Sequence, residues 1–145
     1  MFHGYRRGGS PALVALAAVA ASALAGCSSL APDAPSAEGV AVAFAAALDA
    51  GNATEACAML APGTVEEIES SEDTSCDAAV LQLGLPSGGQ GLRAEAFGRG
   101  AIVELDNDTL FLVGDGDGDV RGWRVTAAGC EPRPERPYDC TVKGG

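Results

Sequence analysis

The apolar residues of this chain change period once, near residue 90, and that change limits the fold more than any other feature of the sequence. Before it, Val40, Phe44, Ala47 and Leu48 recur at helical spacing and Gly51 ends the run. That pattern predicts an amphipathic helix over residues 37–50. Asn52, with Glu55 three residues on, forms a capping-box-like pair for a second helix that buries Ala56, Met59 and Leu60. Pro62-Gly63 breaks it. Thr64 with Glu67 repeats the pair for a short acidic helix that turns Val65 and Ile68 inward, and a last helix from Thr74 or Ser75 buries Ala79, Val80 and Leu83 before Gly84 and Pro86.

Beyond residue 90 the period is two. Leu92, Ala94 and Ala96 alternate with Arg93 and Glu95, Gly98-Arg99-Gly100 makes a turn, and Val103 and Leu105 oppose Glu104 and Asp106. Asn107-Asp108 then turns the chain into Thr109 to Val113, an almost wholly apolar strand expected to be central and covered on both faces. Gly114 to Asp119 reads as a hairpin loop, and Trp123, Val125 and Ala127 are expected to point inward from the last strand. Four helices followed by about four antiparallel strands predict an α+β domain, with N-terminal helices packed on one face of a curled, cone-like sheet.

Ahead of this domain lies a leader. Arg6 and Arg7 precede an apolar run from Ala12 to Ala25, whose 14 residues fall short of the roughly 20 that a membrane-spanning helix needs. Leu24-Ala25-Gly26-Cys27 resembles the lipobox of bacterial lipoprotein signal peptides. The resemblance implies that residues 1–26 are removed and that Cys27 becomes the N-terminus. Cys27 would carry a diacylglyceryl thioether and fatty acids such as palmitate, anchoring the chain to the extracytoplasmic face of the cell membrane. Residues 27–37, with Pro32 and Pro35 and no helical apolar period, would be the lipidated tether, and residues 38–145 the single α+β domain. The Arg6-Arg7 pair is followed by Gly8-Gly9-Ser10-Pro11 rather than the apolar pair usual in twin-arginine signals, which leaves the export route open.

With Cys27 lipidated, Cys57, Cys76, Cys130 and Cys140 remain, an even number in an oxidising compartment, and read as two disulfides. Three connectivities exist. Pairing Cys57 with Cys76 and Cys130 with Cys140 is favoured, because each pair is local and the residues between can turn back. A four-cysteine zinc site would want a close Cys-x-x-Cys pair, which the sequence lacks.

Charge and histidine narrow the function classes. Arg6 and Arg7 leave with the leader, so seven basic residues face 20 acidic ones, a net of −13. Such a chain repels nucleic acid, and the tether rather than the domain face is expected to meet the membrane. The single histidine, His3, lies in the leader, which leaves no imidazole for a Ser-His-Asp site or a histidine zinc site. Any catalysis would rest on Asp, Glu, Arg, Tyr138 or backbone amides. No cofactor or metal is expected.

Two runs are similar to a recurring pattern among small secreted lipoproteins of high-GC Gram-positive bacteria. One is Ala53-Thr54-Glu55-Ala56-Cys57-Ala58-Met59-Leu60-Ala61-Pro62. The other is Gly122-Trp123-Arg124-Val125-Thr126-Ala127-Ala128-Gly129-Cys130, closing with Pro137-Tyr138-Asp139-Cys140. The helix-then-sheet order over residues 38–128 also resembles the nuclear-transport-factor-like superfamily, which includes ketosteroid isomerases and many non-catalytic binding domains. That resemblance implies a cone between helices and sheet, lined from Phe44, Leu48, Val103, Phe111, Trp123 and Val125, that would hold a small apolar ligand.

Other constellations have plain structural readings. Asp115, Asp117 and Asp119 alternate with glycine like the start of a calcium loop, but Val120 and Thr126 stand where an EF-hand needs glycine and glutamate. Tyr138, in a proline-rich segment between two cysteines, is expected to pack that segment on the sheet. Glu66, Glu67, Glu69, Glu72 and Asp73 read as a solvated helix face, with capture of a basic partner as the alternative. The sequon asparagines Asn52 and Asn107 serve as cap and turn residues. The expectation is a lipid-anchored extracytoplasmic domain without a catalytic centre, binding a small apolar ligand or an envelope partner. The alternatives are an accessory envelope protein acting through its acidic surface, and an isomerase-like enzyme using a buried carboxylate.

Overall fold

The structure, a computed structural model, describes residues 33–116 and 122–144. The leader, Cys27, most of the tether, Asp117 and Asp119 lie outside the described residues. Helix α1 (Ala34–Asp49) begins earlier than the apolar period predicts, because Asp33 caps it by accepting the Ser36 N–H at 3.2 Å. Ala37, expected to end the tether, is therefore helical and fully buried. In α2 (Ala53–Met59) the predicted cap forms. Asn52 Oδ1 accepts the Glu55 N–H at 3.2 Å, and Asn52 Nδ2 donates to Glu55 Oε2 at 2.7 Å.

The third helix departs from expectation. Helix α3 (Pro62–Glu72) starts at Pro62, whose fixed φ suits a first turn, so Thr64 is not its cap. Thr64 is instead buried and donates through Oγ1 to the Thr126 carbonyl at 3.2 Å, while the Ala61 N–H donates to the Val125 carbonyl at 2.8 Å. These two bonds dock the start of α3 on the sheet. Helix α4 (Cys76–Ala79) runs into a 3₁₀ turn over Val80–Gln82.

Five antiparallel strands follow in a simple meander: β1 (Gly91–Phe97), β2 (Gly100–Leu105), β3 (Thr109–Asp115), β4 (Gly122–Arg133) and β5 (Arg136–Lys143). The expected count of about four is corrected to five. By sequence, Pro132, Pro134 and Pro137 make the segment after Cys130 a poor candidate for a strand. In the fold, Pro132 falls at a register irregularity between Glu131 and Arg133, and Pro137 lies on the edge strand, both places where a sheet tolerates a missing donor. Both local disulfides form, Cys57–Cys76 joining α2 to α4 and Cys130–Cys140 joining β4 to β5.

The helices pack on one face of the sheet, with α1 touching β1 through β4. Phe44, Ile68, Val80, Val103, Leu110, Leu112 and Val125 form the centre of that layer. Strand β3 is central, but the described residues cover only one of its faces; Phe111 and Val113 on the other are half-buried, where two covered faces were expected. Ala127 also departs from the predicted alternation. Phe111 pairs with Ala127 and Leu112 with Val125, which leaves Thr126 unmatched as a bulge. Ala127 therefore lies beside Phe111 on the uncovered side, and Ala128, fully buried, points inward instead.

Candidate functional site: a groove on the uncovered sheet face

The residues expected to line a cone divide between the two faces. Phe44, Leu48, Val103, Trp123 and Val125 come together between helices and sheet, where they pack as core alongside Leu110 and Leu112. Phe44 is 1% exposed and Val103 and Val125 are 0% exposed, so these side chains spend their surface on one another. Phe111 sits on the opposite face. Thr64 is the one buried polar side chain among the described residues.

Among the described residues, a concavity lies on the uncovered face. A groove of about 220 Å³ is lined by Arg93, Glu95, Ile102, Glu104 and Tyr138. The β1–β2 register builds its floor, since Arg93 pairs with Glu104 and Glu95 with Ile102, and paired residues share a face. Tyr138 arrives from far along the chain. Asp108, in the β2–β3 turn, accepts three backbone N–H groups: Thr109 at 2.7 Å, Gly129 at 3.1 Å and Cys130 at 3.1 Å. Two successive amides of β4 thus point the same way, which breaks strand alternation there and lets the β4–β5 hairpin curl over this face. The Tyr138 ring then meets Phe111 edge-on, with centroids 5.1 Å apart. Gly129 is needed at this bend, because its φ is +65° and a Cβ would lie 2.7 Å from Thr141 Oγ1.

Electrostatics differ between the groove and its supports. Burial pushes the Asp108 carboxyl above its usual value, with the three N–H groups pulling the other way. Within the groove Arg93 and Glu95 form an ion pair, whereas Glu104 has no cationic partner among the described residues. Arg124–Asp115, at 3.0 Å, and Arg133–Asp139 are further ion pairs. A carboxylate without an ion-pair partner among the described residues, beside the Ile102 side chain and a phenol, suits a cationic group on a short apolar stem.

The remaining candidates either have structural partners or face solvent. Glu69 accepts the Cys76 N–H at 3.1 Å and Asn107 donates to the Ser87 carbonyl at 3.0 Å, while Glu66, Glu67, Glu72 and Asp73 are exposed. Asp115 is held by Arg124, and among the described residues no three His, Cys, Asp or Glu side chains group as metal ligands. Sequence reasoning placed Arg93, Glu95 and Glu104 on the outward face through their alternation but did not gather them into a site. Their proximity to Tyr138 has no local signal. Compared with protein-family models, with curated proteins and with solved structures, the chain finds no match.

Proposed function

We propose that this chain is a lipid-anchored extracytoplasmic binding domain without a catalytic centre, and that it binds an envelope partner through the uncovered face of its sheet. The observation that carries the reading is the position of the groove: Arg93, Glu95, Ile102, Glu104 and Tyr138 surround the concavity, while Phe44, Leu48, Val103, Trp123 and Val125, five of the six residues expected to line a cone, are core. A half-polar groove on an acidic domain favours a partner that offers a basic side chain with an apolar stem. The two disulfides support an oxidising compartment, and the lipobox-like Leu24-Ala25-Gly26-Cys27 supports the anchor. Among the described residues the isomerase-like alternative finds no carboxylate within the helix–sheet layer, since the half-buried Asp108 sits in a turn and is engaged by backbone amides.

The test uses a model peptide of alternating lysine and leucine and amide shifts in the protein. Binding should perturb Ile102, Glu104 and Tyr138, weaken with salt, and be lost in Glu104→Lys. Perturbation confined to the acidic face of α3 would move the binding surface there and sink the groove reading. Intact mass of protein purified from membranes tests the anchor separately. A lipidated Cys27 start and four thiols appearing only on reduction are expected; an unlipidated product would remove the membrane from the reading.

A further inference from the structure

Among the described residues, strand β1 ends the sheet on one side and pairs only with β2. Among the described residues, none of its backbone groups takes part in a hydrogen bond outside that ladder, so alternate N–H and C=O groups along its free edge lack a protein partner. It is also apolar for an edge. Leu92 is 69% exposed and Phe97 is 59% exposed, two of the four large hydrophobic side chains exposed among the described residues. The bulge between Gly91 and Arg93 lies at one end of the strand and leaves Arg93–Phe97 regular.

We propose that β1 is a self-pairing edge, at which a second copy of this chain adds antiparallel and joins two five-stranded sheets into one. The occupant follows from charge complementarity. With the two strands centred on Ala94, Gly91–Phe97 overlaps along its whole length, and Arg93 of each copy stands opposite Glu95 of the other. Slipping the register by two residues sets Arg93 against Arg93 or Glu95 against Glu95, which opposes like charges. Slipping by one places a charged residue opposite Ala94 or Ala96, which belong to the helix-covered face. Only the centred register satisfies both faces. The Arg93–Glu95 ion pairs, one within each chain, would then be exchanged for two pairs between chains, and the grooves these residues line would meet on one surface. This association goes beyond the binding reading above and stands without it.

The experiment is sedimentation velocity on the full chain with both disulfides intact. It compares wild type, Arg93→Glu, Glu95→Arg and an equimolar mixture of the two variants. Both side chains are largely exposed, at 62% and 41%, so folding should survive, and a thermal melt checks it. Wild type should self-associate with concentration, and each single variant should do so at least about tenfold more weakly. The mixture should recover the dimer, because a chain with two acids at these positions complements one with two arginines. The double exchange within one chain should recover it too, which separates charge pairing from a folding defect. A wild type that stays monomeric to roughly 1 mM overturns the proposal, as does self-association indifferent to both reversals. A monomer whose β1 amides shift only when an unrelated extended peptide is added would likewise overturn it, in favour of strand addition by another protein.

Discussion

Ile102 and Val103 are neighbours in β2, both β-branched and apolar, yet they work on opposite sides of the sheet. Val103 is fully buried under the helices, while Ile102 is half-buried in a groove beside charged side chains. The same contrast separates Leu110 from Phe111 on β3. A strand delivers successive side chains to alternate faces, and what each face becomes depends on what lies against it. Here the helices make one face the core and leave the other open, the face proposed above for binding.

Substitutions on the two faces should therefore differ in kind as well as size. The largest effect is expected for Phe44→Ala, about 3–5 kcal/mol of unfolding free energy by denaturant titration, because the side chain is fully enclosed. A much smaller loss would mean that the helix-side core is loosely packed and the contrast between faces overstated. Removing a disulfide comes next, at about 3 kcal/mol by loop entropy. Cys57–Cys76 should cost ~0.5 kcal/mol more than Cys130–Cys140, because it spans a separation of 19 residues against 10. Equal midpoint shifts on removing either pair would show that chain entropy is not what distinguishes them.

Asp108 sits where the two faces are joined, and its removal sharpens the comparison. Asp108→Ala takes the acceptor from three backbone N–H groups, at about 1–3 kcal/mol, and should free the hairpin so that Tyr138 leaves Phe111. Aromatic ring shifts would report that separation; an unchanged Tyr138 environment would mean that the Cys130–Cys140 hairpin holds itself in place. The pH dependence has a definite sign. Burial raises the Asp108 carboxyl in the fold, so its contribution is fully present below 3.8 and is lost as pH rises through the folded value. Relative to Asp108→Asn, wild type should gain stability on acidification through that window. A gain in the other direction would show that the three N–H groups outweigh burial. Asp33 runs oppositely, since the Ser36 hydroxyl and N–H lower its carboxyl and its contribution is lost as pH falls.

The smallest effects on folding are expected on the uncovered face. Glu104→Gln should stay within roughly 0.5 kcal/mol in a denaturant melt, since the carboxylate has no ion-pair partner among the described residues. The same change should weaken binding of a basic peptide. A variant that is destabilised but binds as before would reverse the assignment of the two faces.

Much of the domain was legible because its signals are local. The change of period from helical to alternating placed α1 through β4 in order, Asn52 with Glu55 marked a helix start, and the close spacing of each cysteine pair favoured the disulfides that form. Where local and long-range demands competed, the local signal misled. Thr64 carries a capping pattern, but Pro62 starts its helix and the threonine is used to reach Thr126, 62 residues away. The proline-marked segment reads as a loop, yet β4 supplies enough backbone partners to draw β5 alongside despite Pro137. The groove needed still more of the fold. Its floor follows from alternation along β1 and β2, but Tyr138 reaches it on a hairpin whose Gly129 and Cys130 amides donate to Asp108, residues far apart in the chain. The sequence by itself determined the order of elements, their boundaries at glycine and proline, and the apolar stripe each presents, since these depend on residues a turn or two apart. The tertiary structure decided which stripe was covered, how many strands joined and where a concavity formed, because those outcomes depend on hydrogen bonds and packing between residues that are neighbours only once the chain has folded.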